Sequence, residues 1–178
     1  MSFVDIMIKK IAIIGAGNMA REHLKVIRSI PKLIVVGITS RNVLKAGKLA
    51  KDFDIPIVAE NINQLYELTK ADGVLIAVNE MSTEKICISA MVHSWKLLVE
   101  KPIGVDLASS KRILDIKKYR KSEFYVAMNR RYYSSIKEVT KLLGDKSSKR
   151  IVTINDQEDP NTARKQGRPE AVCKNWHF

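Results

Sequence analysis

The chain alternates short apolar runs with longer amphipathic segments, and this alternation predicts its fold class. We expect the apolar runs to form strands near 11–14, 33–38, 57–58, 73–78, 97–99 and 124–128. Between them lie segments with helical periodicity, near 18–29, 42–53, 62–70, 82–93 and 107–119. Strands that alternate with helices are typical of a parallel sheet covered on both faces. The pattern therefore predicts an α/β fold built on a doubly wound parallel sheet.

Single residues mark some of the expected boundaries. Pro31 is placed at the first helix-to-strand connection, because proline cannot continue a helix. Asn61 and Ser82 are expected N-caps, since their side-chain oxygens can accept hydrogen bonds from free amides of a first turn. We interpret Trp95 and Tyr125 as packing residues.

After residue 128 the pattern changes. A helix is expected over 132–143, ended by Gly144, and a strand over 151–154. The sequence thus predicts one domain over 1–129 and the beginning of a second, α+β domain over 130–178. The last stretch is polar and ends on Trp176-His177-Phe178, and aromatic residues normally need a surface to pack against. We therefore expect the chain to be cut short.

The first apolar run leads directly into Gly15-Ala16-Gly17-Asn18-Met19-Ala20 and then into a helical pattern. The first glycine allows a tight strand-to-helix turn, and the second lets bare backbone approach a pyrophosphate. The small Ala20 lets the helix pack close to the strand, while the first amides of the helix face the phosphate charge. This pattern predicts a dinucleotide-binding turn.

The second strand is followed by Thr39-Ser40-Arg41, where a dinucleotide-binding domain that takes NAD usually carries an acidic residue for the ribose hydroxyls. No carboxylate is present to repel a 2′-phosphate, and a hydroxyl with a guanidinium can hold one through charge-assisted bonds. This favours NADP over NAD. The alternative is that Arg41 only caps the start of a solvated helix.

Further polar groups follow the later strands, at the sheet edge where open α/β folds bind ligands. After the fifth strand comes Glu100-Lys101-Pro102, in which the ammonium could anchor or polarise a substrate oxygen and the proline would fix the backbone. The alternative is a surface Lys-Pro turn. Val78-Asn79 and Asn129-Arg130-Arg131 follow two other strands, and they suit either a polar ligand or the capping of the next helix.

Composition narrows the classes of protein. The 178 residues are 46% hydrophobic, as in ordinary globular proteins. No apolar run approaches the ~20 residues that span a bilayer, and the N-terminus has no leader pattern, so we expect a cytoplasmic protein without a membrane partner. The net charge of +12 is spread over many helices without a nucleic-acid-binding motif. Such charge suits anionic substrates or cofactor phosphates, and nucleic acid is not an expected partner.

Cysteine and histidine usage gives no sign of a metal site or a disulfide framework. Cys87 and Cys173 are too few and too irregularly spaced, and we expect both to be reduced, with Cys87 in the core. His23 and His93 lie in expected helices and are interpreted as packed or solvated helical residues.

Taken in order, five motifs resemble those of the glucose-fructose oxidoreductase/inositol dehydrogenase (Gfo/Idh/MocA) family. They are Gly15-Ala16-Gly17-Asn18-Met19-Ala20, Thr39-Ser40-Arg41, Ile76-Ala77-Val78-Asn79, Val99-Glu100-Lys101-Pro102 and Asn129-Arg130-Arg131. The resemblance covers about 8–154 and implies a Rossmann domain that binds NADP or NAD. The expected cofactor-binding residues are Gly15, Gly17, Asn18, Met19, Ser40, Arg41, Val78, Asn79, Glu100, Lys101, Pro102, Asn129 and Arg130.

The resemblance also implies a chemistry. Lys101 would be the substrate-facing, catalytic lysine, and the substrate a sugar, a cyclitol or a sugar derivative. Where the family often has Thr-Pro and then a histidine after the fourth strand, this chain has Val78-Asn79 and Thr83. Family members continue into a C-terminal domain on an open, mainly antiparallel sheet that supplies the usual catalytic histidine or acid. We expect little turnover without that domain.

Two functions from different classes fit the sequence. The first is an NADP-preferring oxidoreductase fragment that exchanges a hydride between a carbinol carbon and the nicotinamide. The second is a regulatory or interaction module that binds NADP(H) without chemistry. An unpaired edge at the strand expected over 151–154 would also recruit another chain, so a homodimer or aggregation is expected.

Overall fold

The structure is a computed structural model that describes residues 8–144, 149, 151, 153, 159–165, 167–170 and 173. The chain divides into two compact units, Met1–Ala127 and Met128–Phe178. The boundary expected from the sequence lies two residues later, after residue 129. Each unit is described by itself.

The first unit is built on a six-stranded parallel sheet. Its strands are β1 (Lys9–Ile14), β2 (Leu33–Thr39), β3 (Val58–Ala59), β4 (Gly73–Ile76), β5 (Lys96–Val99) and β6 (Phe124–Val126). Every pair is parallel, and the order across the sheet is β3-β2-β1-β4-β5-β6. The chain therefore builds one half of the sheet outward from β1 and then returns to build the other half from β4. The doubly wound parallel sheet is confirmed.

Five helices cover both faces of this sheet. They are α1 (Asn18–Arg28), α2 (Val43–Phe53), α3 (Ile62–Thr69), α4 (Glu80–Ala90) and α5 (Leu107–Lys118). Successive residues of β1 point to opposite faces, so Ile13 packs under α1 and α2 while Ala12 packs under α3, α4 and α5. Both faces are apolar for this reason, and the inner strands β2 and β4 show continuous apolar runs instead of alternation.

Two packing residues lie where the sequence predicts them. Trp95 is buried, and Cys87 is buried on α4 in the core below that helix. Burial raises the pKa of the Cys87 thiol to about 12, because the thiolate would lose its hydration there. The described cysteines, Cys87 and Cys173, are both free, as expected.

The prediction for Tyr125 is wrong, because its side chain is 55% exposed and its hydroxyl donates to Glu123 Oε2 at 2.7 Å. Its neighbour Phe124 packs against the core below α3, α4 and α5, so Tyr125 points to the other face of β6. On that face the cluster under α1 and α2 takes its strand residues from β1, β2 and β4. An alternating strand at the edge of the sheet therefore leaves this aromatic ring uncovered.

The N-caps of the helices include one confirmed and one wrong prediction. Asn61 caps α3 by accepting from Gln64 N at 2.9 Å, as predicted. Ser82 does not cap α4, because the helix begins two residues earlier and Asn79 accepts from Ser82 N at 2.9 Å. Asn79 has the extended backbone of a cap residue, whereas Ser82 already lies in the first helical turn.

At the amino ends of the strands, charged side chains form ion pairs and hydrogen bonds within the fold. Asp72 accepts from Lys10 N at 2.8 Å and lies 3.7 Å from Lys9 Nζ, and Lys96 Nζ lies 2.6 Å from Glu123 Oε1. The Lys10 amide, followed by the nearby Lys9 charge, holds the pKa of Asp72 below its usual value.

His93 lies at the same edge. Its ring stacks on Tyr66 with centroids 4.4 Å apart, and Nε2 donates to Asn63 Oδ1 at 3.0 Å. Burial lowers the pKa of His93, and the Glu67 carboxylate only partly opposes this effect. His93 is therefore packed, as expected, but it follows α4 in a bend and is not the helical residue that the sequence predicted.

The second unit contains a turn of 3-10 helix (Asn129–Tyr132), α6 (Ser134–Leu143) and α7 (Pro160–Lys165). Gly144 follows α6 with a φ of 54°, which confirms it as the end of that helix. Of the strand expected over 151–154, residues 152 and 154 lie outside the described residues, and Ile151 and Thr153 are not in a strand. The homodimer inferred from that strand stays a prediction. Among the described helices, none combines the length and the apolar character needed to cross a membrane.

Candidate cofactor-binding site

The candidate site lies at the carboxyl ends of the parallel strands. Gly15 follows β1, Ser40 follows β2, and the segments at Asn79 and Glu100 follow β4 and β5. Because β1 lies between β2 and β4, the winding of the chain reverses at β1, which opens a crevice at this edge in such sheets. The topology therefore brings four of the motifs identified in the sequence to one edge of the sheet.

Gly15 makes the tight turn that the sequence predicts. Its φ of 114° is one that side chains with a Cβ rarely adopt. Gly15 N donates to Thr39 O at 2.8 Å, and a Cβ added here would lie 2.7 Å from the carbonyl carbon of Ala77 and closer still to its oxygen. The turn thus fits between the ends of β2 and β4 only as glycine.

Gly17 occupies the N-cap position of α1 and is exposed. Within the described part of the chain, no side chain caps this helix and a Cβ added at Gly17 would meet nothing within 4 Å; the first turn of the helix carries no acidic residue. The amides of Asn18 and Met19 precede Arg21 N, which donates to Gly17 O at 3.2 Å, so they have no acceptor within α1 and lie at the positive end of that helix. Ala20 is fully buried against the sheet. An open turn with free donors and no competing carboxylate fits a pyrophosphate.

The segment at the end of β2 contains a buried hydroxyl, on Thr39, and an exposed cation, on Arg41. Thr39 Oγ1 is buried and donates to Ala59 O at 2.7 Å. Asn42 caps α2 by accepting from Lys45 N at 3.0 Å, so Arg41 is not the cap of that helix. Arg41 is exposed, and its guanidinium makes no hydrogen bond or ion pair within the described part of the chain.

Glu100 and Lys101 differ in their surroundings. Glu100 N donates to Ile76 O at 2.9 Å, and its carboxylate lies between two donors, His23 Nε2 at 2.6 Å and Lys101 N at 3.2 Å. Lys101 and Pro102 are exposed and are joined by a cis peptide bond. The Lys101 ammonium has no partner among the residues that the structure describes.

His23 is a functional candidate that the sequence analysis missed. We interpreted it as a packed or solvated residue of α1, whereas its ring lies against Glu100 on the segment after β5. The available signal was helical periodicity, because His23 follows the buried Ala20 by three residues and shares its helix face. Periodicity places the ring toward the sheet but does not identify a partner 77 residues away in sequence.

The remaining predicted residues fall into two groups. Val78 is half-buried after β4, and the Asn79 side chain is used in capping α4, which supports the capping alternative for Asn79. Asn129 and Arg130 belong to the second unit, where both are exposed in the 3-10 turn. Asn129 is not the cap of that turn, since Met128 holds this position. A ligand role for these residues stays a prediction. In the described ranges no cluster of His, Cys, Asp or Glu could hold a metal ion.

A glycine turn at the point where a parallel α/β sheet reverses its winding defines a dinucleotide-binding protein. Residues 9–128 match the family model described as "Oxidoreductase family, NAD-binding Rossmann fold". The chain therefore belongs to this family, the Gfo/Idh/MocA oxidoreductases.

Individual relatives agree with this assignment. The chain is 25% identical over 155 residues to glucose-6-phosphate 3-dehydrogenase from Bacillus subtilis (strain 168), covering 87% of this chain and 43% of the relative. A myo-inositol dehydrogenase from Lactobacillus casei, in complex with NAD(H) and myo-inositol, has a similar fold, with a TM-score of 0.72 at 24% identity. The match covers 77% of this chain and 41% of that one.

An NAD-binding protein from Listeria innocua is similar as well, with a TM-score of 0.66 at 25% identity over 76% of this chain and 41% of the other. The chain thus spans less than half of the length of the relatives that it matches.

Proposed function

We propose that this chain binds NADP(H) in preference to NAD(H), and that it serves an oxidoreductase acting on a sugar, a cyclitol or a related polyol. One observation carries the proposal: among the described residues, the first amides of α1 have no capping side chain and no acid in the first turn, and a Cβ added at Gly17 would meet nothing within 4 Å. The substrate class is supported by the names of the relatives, which act on glucose 6-phosphate or are solved with myo-inositol.

The preference for NADP(H) is argued from charge. The segment after β2 carries no carboxylate, and Arg41 extends into solvent without a partner in the described part of the chain. Guanidinium groups bind phosphate oxygens in charge-assisted pairs, whereas a ribose without the extra phosphate gains little from a cation. Ser40 is half-buried beside it, and its Oγ accepts from Asn42 N at 3.4 Å, which leaves its own proton for a ligand.

Lys101 is the proposed catalytic residue. When bound, the nicotinamide would exchange a hydride with the carbinol carbon of the substrate. Lys101 would bind the reacting oxygen through its ammonium, which orients that oxygen and stabilises negative charge developing on it. We expect little or no turnover from these 178 residues alone, since they cover 43% of the length of the curated relative.

The first test is coenzyme binding by the chain and by Gly17→Asp. NADPH fluorescence should titrate to saturation with the wild type. Aspartate is a favoured N-cap, so the variant should fold, while its carboxylate takes up the helix amides and repels phosphate. We expect at least a ~100-fold loss of affinity, or about 2.7 kcal/mol.

Gly47→Asp is the matched control for this experiment. An added Cβ at Gly47, on α2, also meets nothing within 4 Å, and the substitution adds the same charge. It should leave the affinity for NADPH within about twofold, since a charge outside the turn is screened by solvent. Absence of saturable binding by the folded wild type, or equal losses in both variants, would contradict the proposal.

The second test separates the two coenzymes. Arg41→Ala should weaken NADPH binding by roughly tenfold or more, the contribution of one charge-assisted contact, and should leave NADH binding unchanged. Lys45→Ala removes a neighbouring exposed cation on α2 and serves as the control. Equal losses for both coenzymes, or a larger loss for Lys45→Ala, would remove the argument for NADP(H).

The second candidate function is a regulatory module that binds NADP(H) without chemistry. It is favoured by the Glu100 side chain, whose two oxygens already accept from His23 and Lys101 N, so this acid is not free to act as a base. Slow oxidation of polyols or sugar phosphates that disappears in Lys101→Ala, with coenzyme affinity kept, would support the enzyme. In a version extended to the length of the curated relative, saturable coenzyme binding without any turnover would support the module.

A further inference from the structure

We propose that His23 is a positioning residue: through the Glu100 carboxylate it holds the segment that carries Lys101 against α1, the helix that presents the phosphate-binding turn. The inference rests on the proposed function for the role of Lys101, whereas the contact itself belongs to the fold of the first unit. It assigns to His23 a task that the motif analysis did not include.

The contact is short and sheltered. His23 Nε2 lies 2.6 Å from Glu100 Oε1, and the two side chains are only 24% and 13% exposed. A carboxylate can only accept, so Nε2 donates. The Arg21–Asp52 pair on the same helix is equally short, at 2.6 Å, but its side chains are 38% and 34% exposed. The His23 contact is therefore the less exposed to competition from water of the two.

The second oxygen of the same carboxylate carries the link to the lysine segment. Glu100 Oε2 accepts from Lys101 N at 3.2 Å, while the backbone of Glu100 is fixed to β4 through Ile76 O. One carboxylate therefore joins a helix to the first peptide of the segment 101–106. Without His23, that carboxylate would be partly buried with one donor fewer, and it would turn toward water.

The far end of segment 101–106 is anchored independently. Ile103 packs against the core, and a Cβ added at Gly104 would lie 2.8 Å from Ser110 N. Asp106 caps α5 reciprocally, accepting from Ser109 N at 2.7 Å while Ser109 Oγ accepts from Asp106 N at 3.1 Å. The loss of His23 should therefore release the peptide at Lys101 without releasing the start of α5.

Helix α1 therefore links the two parts of the site, the phosphate-binding turn and the lysine segment. Gly17 at the beginning of α1 presents the amides for the coenzyme phosphates, and His23 projects from the same short helix. A helix is rigid over such a length, so the phosphate-binding turn and the lysine segment are held in one frame. His23 acts through Glu100 and contacts neither ligand nor Lys101 Nζ in this role.

The test measures backbone hydrogen exchange by mass spectrometry in wild type, His23→Ala, His23→Gln and Arg21→Ala. In His23→Ala, the peptide covering 99–105 should exchange about tenfold faster, as a lost local constraint of about 1.4 kcal/mol would produce. The peptide covering α5 should be unchanged. In His23→Gln the protection should return, because the glutamine amide can donate to Glu100 from nearly the same position as Nε2. Arg21→Ala should leave the lysine segment at the wild-type rate.

Glu100→Gln provides a second, independent variant. Its single carbonyl oxygen replaces two acceptors, so it should also speed exchange at residue 101 while keeping the size of the side chain. The proposal is overturned if exchange over 99–105 is unaffected in both His23→Ala and Glu100→Gln, or if His23→Gln behaves as His23→Ala. It is also overturned if every peptide accelerates equally, since that reports general destabilisation.

The exchange measurement needs no coenzyme, so it is separate from the test of the proposed function. A wild type that fails to bind NADPH but shows the expected exchange pattern would refute the function and keep the positioning role of His23. A wild type that binds NADPH, with no change in exchange in the variants, would support the proposed function and refute the positioning role of His23.

Discussion

The two edges of the parallel sheet use the same kinds of side chain in different ways. At the amino edge, Asp72 binds Lys10 N and Lys9, and Lys96 pairs with Glu123. At the carboxyl edge, Arg41 and Lys101 have no partner in the residues that the structure describes. Cations at one edge are therefore used within the fold, and those at the other remain available to a ligand. A net charge of +12 says nothing of this division, which depends on position alone.

The largest expected effect is at the carboxyl edge, in Gly15→Ala. A Cβ there would overlap the Ala77 carbonyl, and the φ of 114° is unfavourable for alanine. We expect a loss of roughly 3–5 kcal/mol in the free energy of unfolding, from backbone strain and overpacking together. Urea denaturation followed by circular dichroism measures it. Gly17→Ala, two residues on and in open space, should cost less than ~1 kcal/mol. Similar losses in both would contradict the assigned roles.

An intermediate effect is expected at the amino edge, where His93 should make stability depend on pH. Its pKa is lower in the folded chain than in the unfolded one, because burial disfavours the charged ring. The unfolded chain therefore binds the proton more readily. The contribution is complete above the unfolded value of about 6.5 and is lost as the pH falls from there through the folded pKa.

His93→Phe keeps a ring on Tyr66 and removes this titration. Between about pH 8 and pH 5, the thermal midpoint of the wild type should fall about 2–4 °C further than that of the variant. The two proteins are otherwise identical, so the pH dependence of the rest of the chain cancels in the comparison. Parallel curves would show that His93 is not the group responsible.

The smallest effect is expected for Asp72→Asn, also at the amino edge. The amide oxygen still accepts from Lys10 N, and only the exposed charge pair with Lys9 is lost. Exposed pairs contribute little, so the free energy of unfolding should fall by less than ~1 kcal/mol, and the affinity for NADPH should not change. A measurable loss of affinity would mean that the two edges are not independent.

The sequence predicted the order of the elements well because each βα unit carries its own signal. Apolar runs of strand length and helical periodicity are local, and together they give the parallel sheet. The tight turn at Gly15 could also be predicted, since it depends on residues that are neighbours in sequence. The carboxyl edge then follows from topology, because all parallel strands end on the same side.

What the sequence could not supply depends on contacts between distant residues. His23 and Glu100 lie 77 positions apart, and no local pattern relates an imidazole on a helix to a carboxylate after β5. Tyr125 looks like a core residue by type, but β6 is an edge strand and its outer side is uncovered. At the start of α4, Asn79 and Ser82 are both good N-caps by type, and only the backbone geometry selects the first.

The central position of β1 has a consequence for the order in which the parts of the molecule fold during synthesis. Ile11 pairs with Val35 on one side and with Gly73 on the other, so β1 joins the two halves of the sheet. The second of these partners, β4, lies far from β1 in sequence. During synthesis from the N-terminus, the βαβ unit of β1, α1 and β2 emerges early, but the carbonyl of Ala77 that lies against the Gly15 turn emerges late. We therefore expect the growing chain to bind a nucleotide only after β4 has left the ribosome, even if α1 has already formed.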